Sequence, residues 1–180
     1  MDAAVGKPGA VERPRWVLLV YRIPREPSRH RVAVWRRLKD LGVLYLQDGV
    51  AALPEDAVTR EQLEWLQLRV REVGGEATLW EARPGTLAEE GELVGAFRAS
   101  REEAYRAIIA QAHRLGRKAE MGGGGALAEQ LGKLEREFRA ERRRDYFRSP
   151  LRVEAAEALK VARRAVRDGG IEGLDAGRTG

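Results

Sequence analysis

Along the chain the apolar positions change period several times, and each change predicts an element. Residues 16–23, WVLLVYRI, form a continuous apolar and β-branched run closed by Pro24, which predicts a buried strand. Pro27 and Ser28 then make a helix start, with Ser28 as N-cap. Val32, Trp35, Leu38 and Leu41 follow at three-residue steps and are assigned to the buried face of that helix, which Gly42 ends. VLYLQ, Asp48-Gly49 and VAALP predict a hairpin with a type I′ turn, since both central residues of that turn need positive φ. Thr59-Arg60-Glu61-Gln62 has the form of a capping box. It opens a helix with Leu63, Leu66, Val70 and Val73 inward and Gly74-Gly75 as its stop. EATLWEA gives a last strand before Pro84-Gly85. The order β-α-β-β-α-β over residues 15–84 is that of a ferredoxin-like α+β domain, one sheet with both helices on one face.

The second half is helical by the same reasoning, and the predicted helical region is 96–168. Ser100-Arg101-Glu102-Glu103 reads as a capping box, with Tyr105, Ile108, Ile109, Ala112 and Leu115 at helical spacing behind it. Gly116–Gly125 breaks the pattern, and Met121–Gly125 reads as a flexible connection. Leu127, Leu131, Leu134, Phe138 and Arg142 trace one face of a second helix. Pro150, suited to a first helical position, opens a third, striped by Leu151, Ala155, Ala158, Leu159, Ala162 and Val166. Asp168-Gly169-Gly170 is its expected end. A two- to three-helix C-terminal part is the expectation, flanked by disordered tails over 1–14 and 169–180.

Charge changes this picture. The 180 residues carry 33 Lys and Arg against 28 Asp and Glu, a formal net charge of +5 with a pI near 9.9. Nearly all the cations are arginine, whose planar fork suits phosphate and carboxylate; a high-GC genome enriches arginine, alanine and glycine for unrelated reasons. Two clusters stand out. Arg22, Arg25, Arg29, His30 and Arg31 surround the predicted start of the first helix, where unpaired N–H groups favour anions. Arg142, Arg143 and Arg144 form the second, with Arg139 and Arg148 a turn to either side. For each, a solvated helix face is the competing reading.

The chemistry left to an enzyme is thin. The chain has no cysteine, which excludes disulfides, thiolate metal sites and thiol reduction within it. His30 and His113 are too far apart for a metal motif. The glycine run lacks the Gly-Lys-Ser/Thr of a phosphate loop. Asp48, Glu76 and Glu81 are the sheet-associated acids a hydrolase would have to use, and no effect is expected from replacing them. No enzyme activity, cofactor or metal is therefore expected. With no apolar core in Met1–Pro14 and no stretch of roughly 20 apolar residues, neither a leader nor a membrane span is expected, which makes the cytoplasm the default location.

The phrases WVLLVYRIPREPSRHRVAVWRRLKDLGVLYLQDGVAALP, TREQLEWLQLRVREVGGEATLWEA and RRDYFRSPLRVEAAEALKVARR resemble the N-terminal domain of ChrB, the regulator associated with chromate resistance. The resemblance covers about residues 15–167. It implies a transcriptional regulator with double-stranded DNA as partner and chromate or a similar oxyanion as ligand. The first half is also distantly similar to the central domain of the phenylacetate-pathway repressor and to the small CRISPR adaptation nuclease. Where that nuclease carries its catalytic aspartate, this chain reads Tyr21-Arg22-Ile23-Pro24, so no nuclease activity is implied. The alternative expectation is a protein-interaction or homodimerisation module without DNA binding.

Overall fold

The computed structural model describes residues 13–122 and 126–176. The expected tails over 1–12 and 177–180 and the connection at 123–125 lie outside them. Two compact units divide the chain, residues 1–87 and 88–180. The fold is α+β: a four-stranded antiparallel sheet and five helices among the described residues.

In the first unit the elements are β1 (Trp16–Arg22), α1 (Ser28–Leu41), β2 (Leu44–Gln47), β3 (Val50–Pro54), α2 (Ala57–Glu72) and β4 (Glu76–Ala82). The sheet order is β2-β3-β1-β4 with every pairing antiparallel. Side chains alternate across a strand, so the pairs Val17–Leu53 and Leu19–Ala51 share one face with Ala77. All five are buried, together with Val34 and Leu38 of α1 and Leu63, Leu66 and Val70 of α2. That set is the core of the unit.

Four local expectations are corrected here. The α1 stripe is Val34, Leu38 and the half-buried Leu41, while Val32 is 42% and Trp35 50% exposed. Steps of three residues retreat by about 60° each around a helix, so Val32, Trp35, Leu38 and Leu41 span half its circumference. Ser28 is the first helical residue and not the cap: Pro27 occupies the N-cap, without a side-chain cap. The capping box of α2 lies one turn earlier than Thr59–Gln62. The Asp56 carboxylate accepts from the Thr59 N–H at 2.7 Å, and Thr59 Oγ1 accepts from the Asp56 N–H at 2.9 Å. Finally, Gly49 alone is left-handed in the hairpin turn (φ 76°), and the pairing slips between Tyr45 and Gln47. The hairpin therefore closes through a bulge and not a type I′ turn.

The two edges of the sheet are both blunted. The bulge interrupts β2. On β4, Tyr21 bonds toward Gly49, so its partner Ala77 directs its carbonyl to the open side. There Arg71 (2.8 and 3.1 Å) and Gln67 (3.2 Å) donate to it, occupying an acceptor that another strand would need.

The second unit holds α3 (Leu87–Glu120), α4 (Ala126–Arg144) and α5 (Leu151–Ala176). Their stripes meet in one core: Tyr105, Ile108 and Leu115 of α3, Leu131, Leu134 and Phe138 of α4, Ala155, Leu159 and Ala162 of α5. Three ends differ from expectation, the first being the C-terminus of α3, which runs through the buried Gly116 to Glu120 where a break was expected from Gly116. Helix α3 starts at Leu87, so Ser100 lies in mid-helix; the segment before it is rich in helix formers, with Glu89 and Glu90 at the positive end. Helix α5 continues past Asp168-Gly169-Gly170 to Ala176, which also corrects the tail expected from 169. Gly169 sits inside it because a Cβ there would come within 2.8 Å of the Ala119 carbonyl oxygen, so the glycine serves close helix packing and not termination.

Candidate nucleic-acid interface

The corner between β1 and α1 is fixed by two glycines. On the β3 side, a Cβ at Gly49 would lie 2.5 Å from the Tyr21 carbonyl oxygen. On the β4 side, a Cβ at Gly75 would lie 2.6 Å from the Arg22 carbonyl oxygen and 2.7 Å from Val70 Cγ1. Only glycine permits both approaches, and between them the last residues of β1 are held. Tyr21 anchors the same end: its hydroxyl is pushed up to about 12, first by burial and then by Tyr45 and Asp48.

From this anchored end the chain passes through Ile23–Pro27, where the Glu26–Pro27 peptide is cis, into the first turn of α1. Arg22, Arg25, Arg29 and Arg31 are all exposed, and His30 is half-buried with its backbone N–H donating to the Pro27 carbonyl at 3.2 Å. Among the described residues none of these four arginines has an ion pair or hydrogen bond from its side chain. Glu26 is the carboxylate within the corner, and Glu76 stands opposite Arg22 across the strands. The first turn of α1 carries no acidic residue and no side-chain cap, so its N–H groups and the positive end of its dipole add to the four cations. Other arginines of this unit are engaged: Arg60 with Glu55 and with Glu81 (2.5 Å), Arg69 with Glu72 (3.0 Å), Arg37 with Gln62. The guanidinium of Arg60 is pushed up by its bonds to Glu55 and Glu81. The corner is thus a cationic surface with little internal compensation, suited to phosphate oxygens.

The second predicted cluster has a different fate. Arg144 donates to Glu141 at 2.9 Å, and Glu141 accepts from Arg101 of α3 at 2.5 Å; all three side chains are largely buried. Arg139 lies 4.0 Å from Glu135. Arg142 is exposed with its guanidinium 5.9 Å from the centre of the Phe138 ring, and Arg143 is exposed beside it. As the last turn of α4, the triplet complements the negative end of that helix.

Sequence reasoning missed the part played by Asp145. Buried after α4, it accepts from the Ser149 N–H at 2.9 Å and from the Tyr105 hydroxyl at 3.2 Å. Burial, then the Asp145 carboxylate, push the Tyr105 hydroxyl up. Tyr146 and Phe147 meet Phe97 edge-on, with centroids 6.1 and 5.7 Å apart. The phrase RRDYFRSP is therefore a structural joint as well as a basic run. Also missed were two exposed tryptophans, Trp35 and Trp65, whose signal was the true α1 and α2 stripes. Lys39 Nζ sits 5.1 Å from the Trp35 ring centroid.

Among the described residues no three metal-capable side chains converge, and no helix is long and apolar enough to cross a membrane. Neither the curated proteins nor the solved structures contain a match to this chain. One family model does match, described as protein ChrB, N-terminal, over residues 31–170. The matched range takes in α1 from Arg31 onward, α2 and the RRDYFRSP joint; Arg22, Arg25, Arg29 and His30 precede it. With well over half its length matched, the chain belongs to the ChrB N-terminal family, which ties it to chromate resistance.

Proposed function

We propose that this protein is a non-enzymatic, DNA-binding regulator of chromate resistance that grips the duplex backbone through the β1–α1 corner. The observation that carries this reading is the group of four exposed arginines without ion-pair partners, set on a glycine-clamped strand end beside an uncapped helix start. Its sheet unit is read as ferredoxin-like, a reading that the order β2-β3-β1-β4 and the β-α-β-β-α-β connectivity support. Phosphate contacts of this kind position a protein on DNA and make affinity fall steeply with salt. A chromate or similar oxyanion, competing for the same guanidinium groups, would release the duplex.

The test is fluorescence anisotropy with the duplex upstream of the protein's own gene, over a range of salt concentrations, with chromate and with sulfate as control. Salt-sensitive binding is the expected result, and release at chromate concentrations where sulfate leaves the duplex bound would add a chromate-specific response to it. No binding even at low salt sinks the DNA reading and returns the arginines to the status of a solvated face.

A further inference from the structure

On the first unit, α1 and α2 carry an apolar surface opposite the residues they bury. Val58, Trp65 and Leu68 of α2 are 64, 65 and 51% exposed, and with Glu61 they fall on one side of the helix, away from Leu63, Leu66 and Val70. On α1 the side opposite Val34 and Leu38 bears Arg29, Val32, Ala33, Arg36 and Asp40. Between the helices runs a groove of ≈ 280 Å³, walled by Ala33, Arg37, Gln62 and Trp65. Among the described residues, Arg36 and Glu61 have no charged partner.

We infer that this face is where two copies of the chain pack, α1 of one against α2 of the other about a two-fold axis. An isologous contact needs one patch to complement itself. Here the α1 half is basic, through Arg36 and Arg37, and the α2 half is apolar with the unpaired Glu61. A two-fold rotation sets each half on its complement: Trp65 against Val32 and Ala33, and Arg36 against Glu61. The size agrees. Val32, Val58, Trp65 and Leu68 leave roughly 400 Å² of apolar surface exposed per copy, close to the apolar share of the ~800 Å² each partner buries in a standard interface. An acidic helix of another protein would match Arg36 and Arg37 but would face Glu61 with like charge. The inference does not rest on DNA binding, because its contacts are made by Val32, Ala33, Arg36, Glu61 and Trp65; of the corner arginines only Arg29, one turn before Val32, borders this face.

The test is sedimentation velocity on the full chain from low to high micromolar concentration, with circular dichroism to verify folding of each variant. Wild type is expected to dimerise reversibly. Trp65→Glu, on an exposed position, is expected to raise the dimer Kd roughly thirtyfold or more. Arg36→Glu and Glu61→Arg each weaken the dimer a few fold, and the double exchange R36E/E61R restores it. A monomer at every concentration overturns the proposal, including the case where the monomer instead binds a different protein. So does a dimer indifferent to Trp65→Glu, or a double exchange no better than the single changes.

Discussion

The two arginine clusters of this molecule look alike in sequence and are used differently by the fold. At the β1–α1 corner, Arg22, Arg25, Arg29 and Arg31 point into solvent without ion-pair partners, and the backbone beneath them is held by Gly49 and Gly75. At the end of α4, Arg144 is locked into a largely buried triad with Glu141 and Arg101, and Arg142 lies over Phe138. Density of charge does not distinguish the two. What does is whether a carboxylate sits within one helical turn or on a facing helix. Glu135 and Glu141 precede the α4 arginines at helical spacing and bond to them. The first turn of α1 has no acid, and among the described residues Glu26 before it and Glu76 on β4 form no ion pair with the corner arginines.

The largest test of that contrast is Glu141→Ala. It leaves the largely buried Arg101 without the carboxylate it bonds and takes one carboxylate from Arg144, and the expected cost is about 3 kcal/mol of stability in urea unfolding followed by circular dichroism. A loss under ~0.5 kcal/mol, the usual range for surface changes, would mean the triad is no more structural than the corner. Next in size is Gly75→Ala. The new methyl group meets backbone oxygen and the Val70 side chain, so about 2 kcal/mol of stability should be lost. Duplex affinity should fall with it although no cation is removed. Intact affinity in that variant would separate the corner's geometry from its binding.

Third is the triple change Arg25→Ala, Arg29→Ala and Arg31→Ala. Stability should move by less than ~0.5 kcal/mol, because no partner is orphaned. In anisotropy the log–log salt slope should lose about three, at ~0.9 for each released phosphate contact, with at least a roughly tenfold loss of affinity at moderate salt. An unchanged slope would remove the corner from the interface.

How much of this was legible beforehand follows from the range of the interactions. Apolar period settled the helix stripes of the second unit, since Leu127, Leu131, Leu134 and Phe138 need only helical geometry to share a face. Gly42 and Gly74 stopped their helices because a positive φ is a local property. The errors arose where a long-range contact outranked a local signal. Gly169 looks like a helix stop until Ala119 of another helix is seen against it, and Ser100 looks like a cap until the residues before it are seen to be helical. Trp35 failed for a simpler reason: three-residue spacing was read as one face. At the site, the chain order alone brings Arg22–Arg31 to one corner. The loss of Arg144 to a triad with Arg101, forty-three residues earlier, depends on tertiary structure.

The smallest expected effect decides whether the contrast is complete. Arg142→Ala with Arg143→Ala removes the two α4 arginines that remain exposed, while the Arg101–Glu141–Arg144 triad is left in place. If the corner alone meets the duplex, affinity changes less than about twofold and the salt slope stays put, because a cation over an aromatic ring and at a helix C-terminus is already satisfied. Stability should drop by no more than ~1 kcal/mol as the Phe138 contact is lost. A slope that falls by about two would instead make Arg142 and Arg143 phosphate contacts of their own. In that event the difference between the clusters would lie in Arg144 alone.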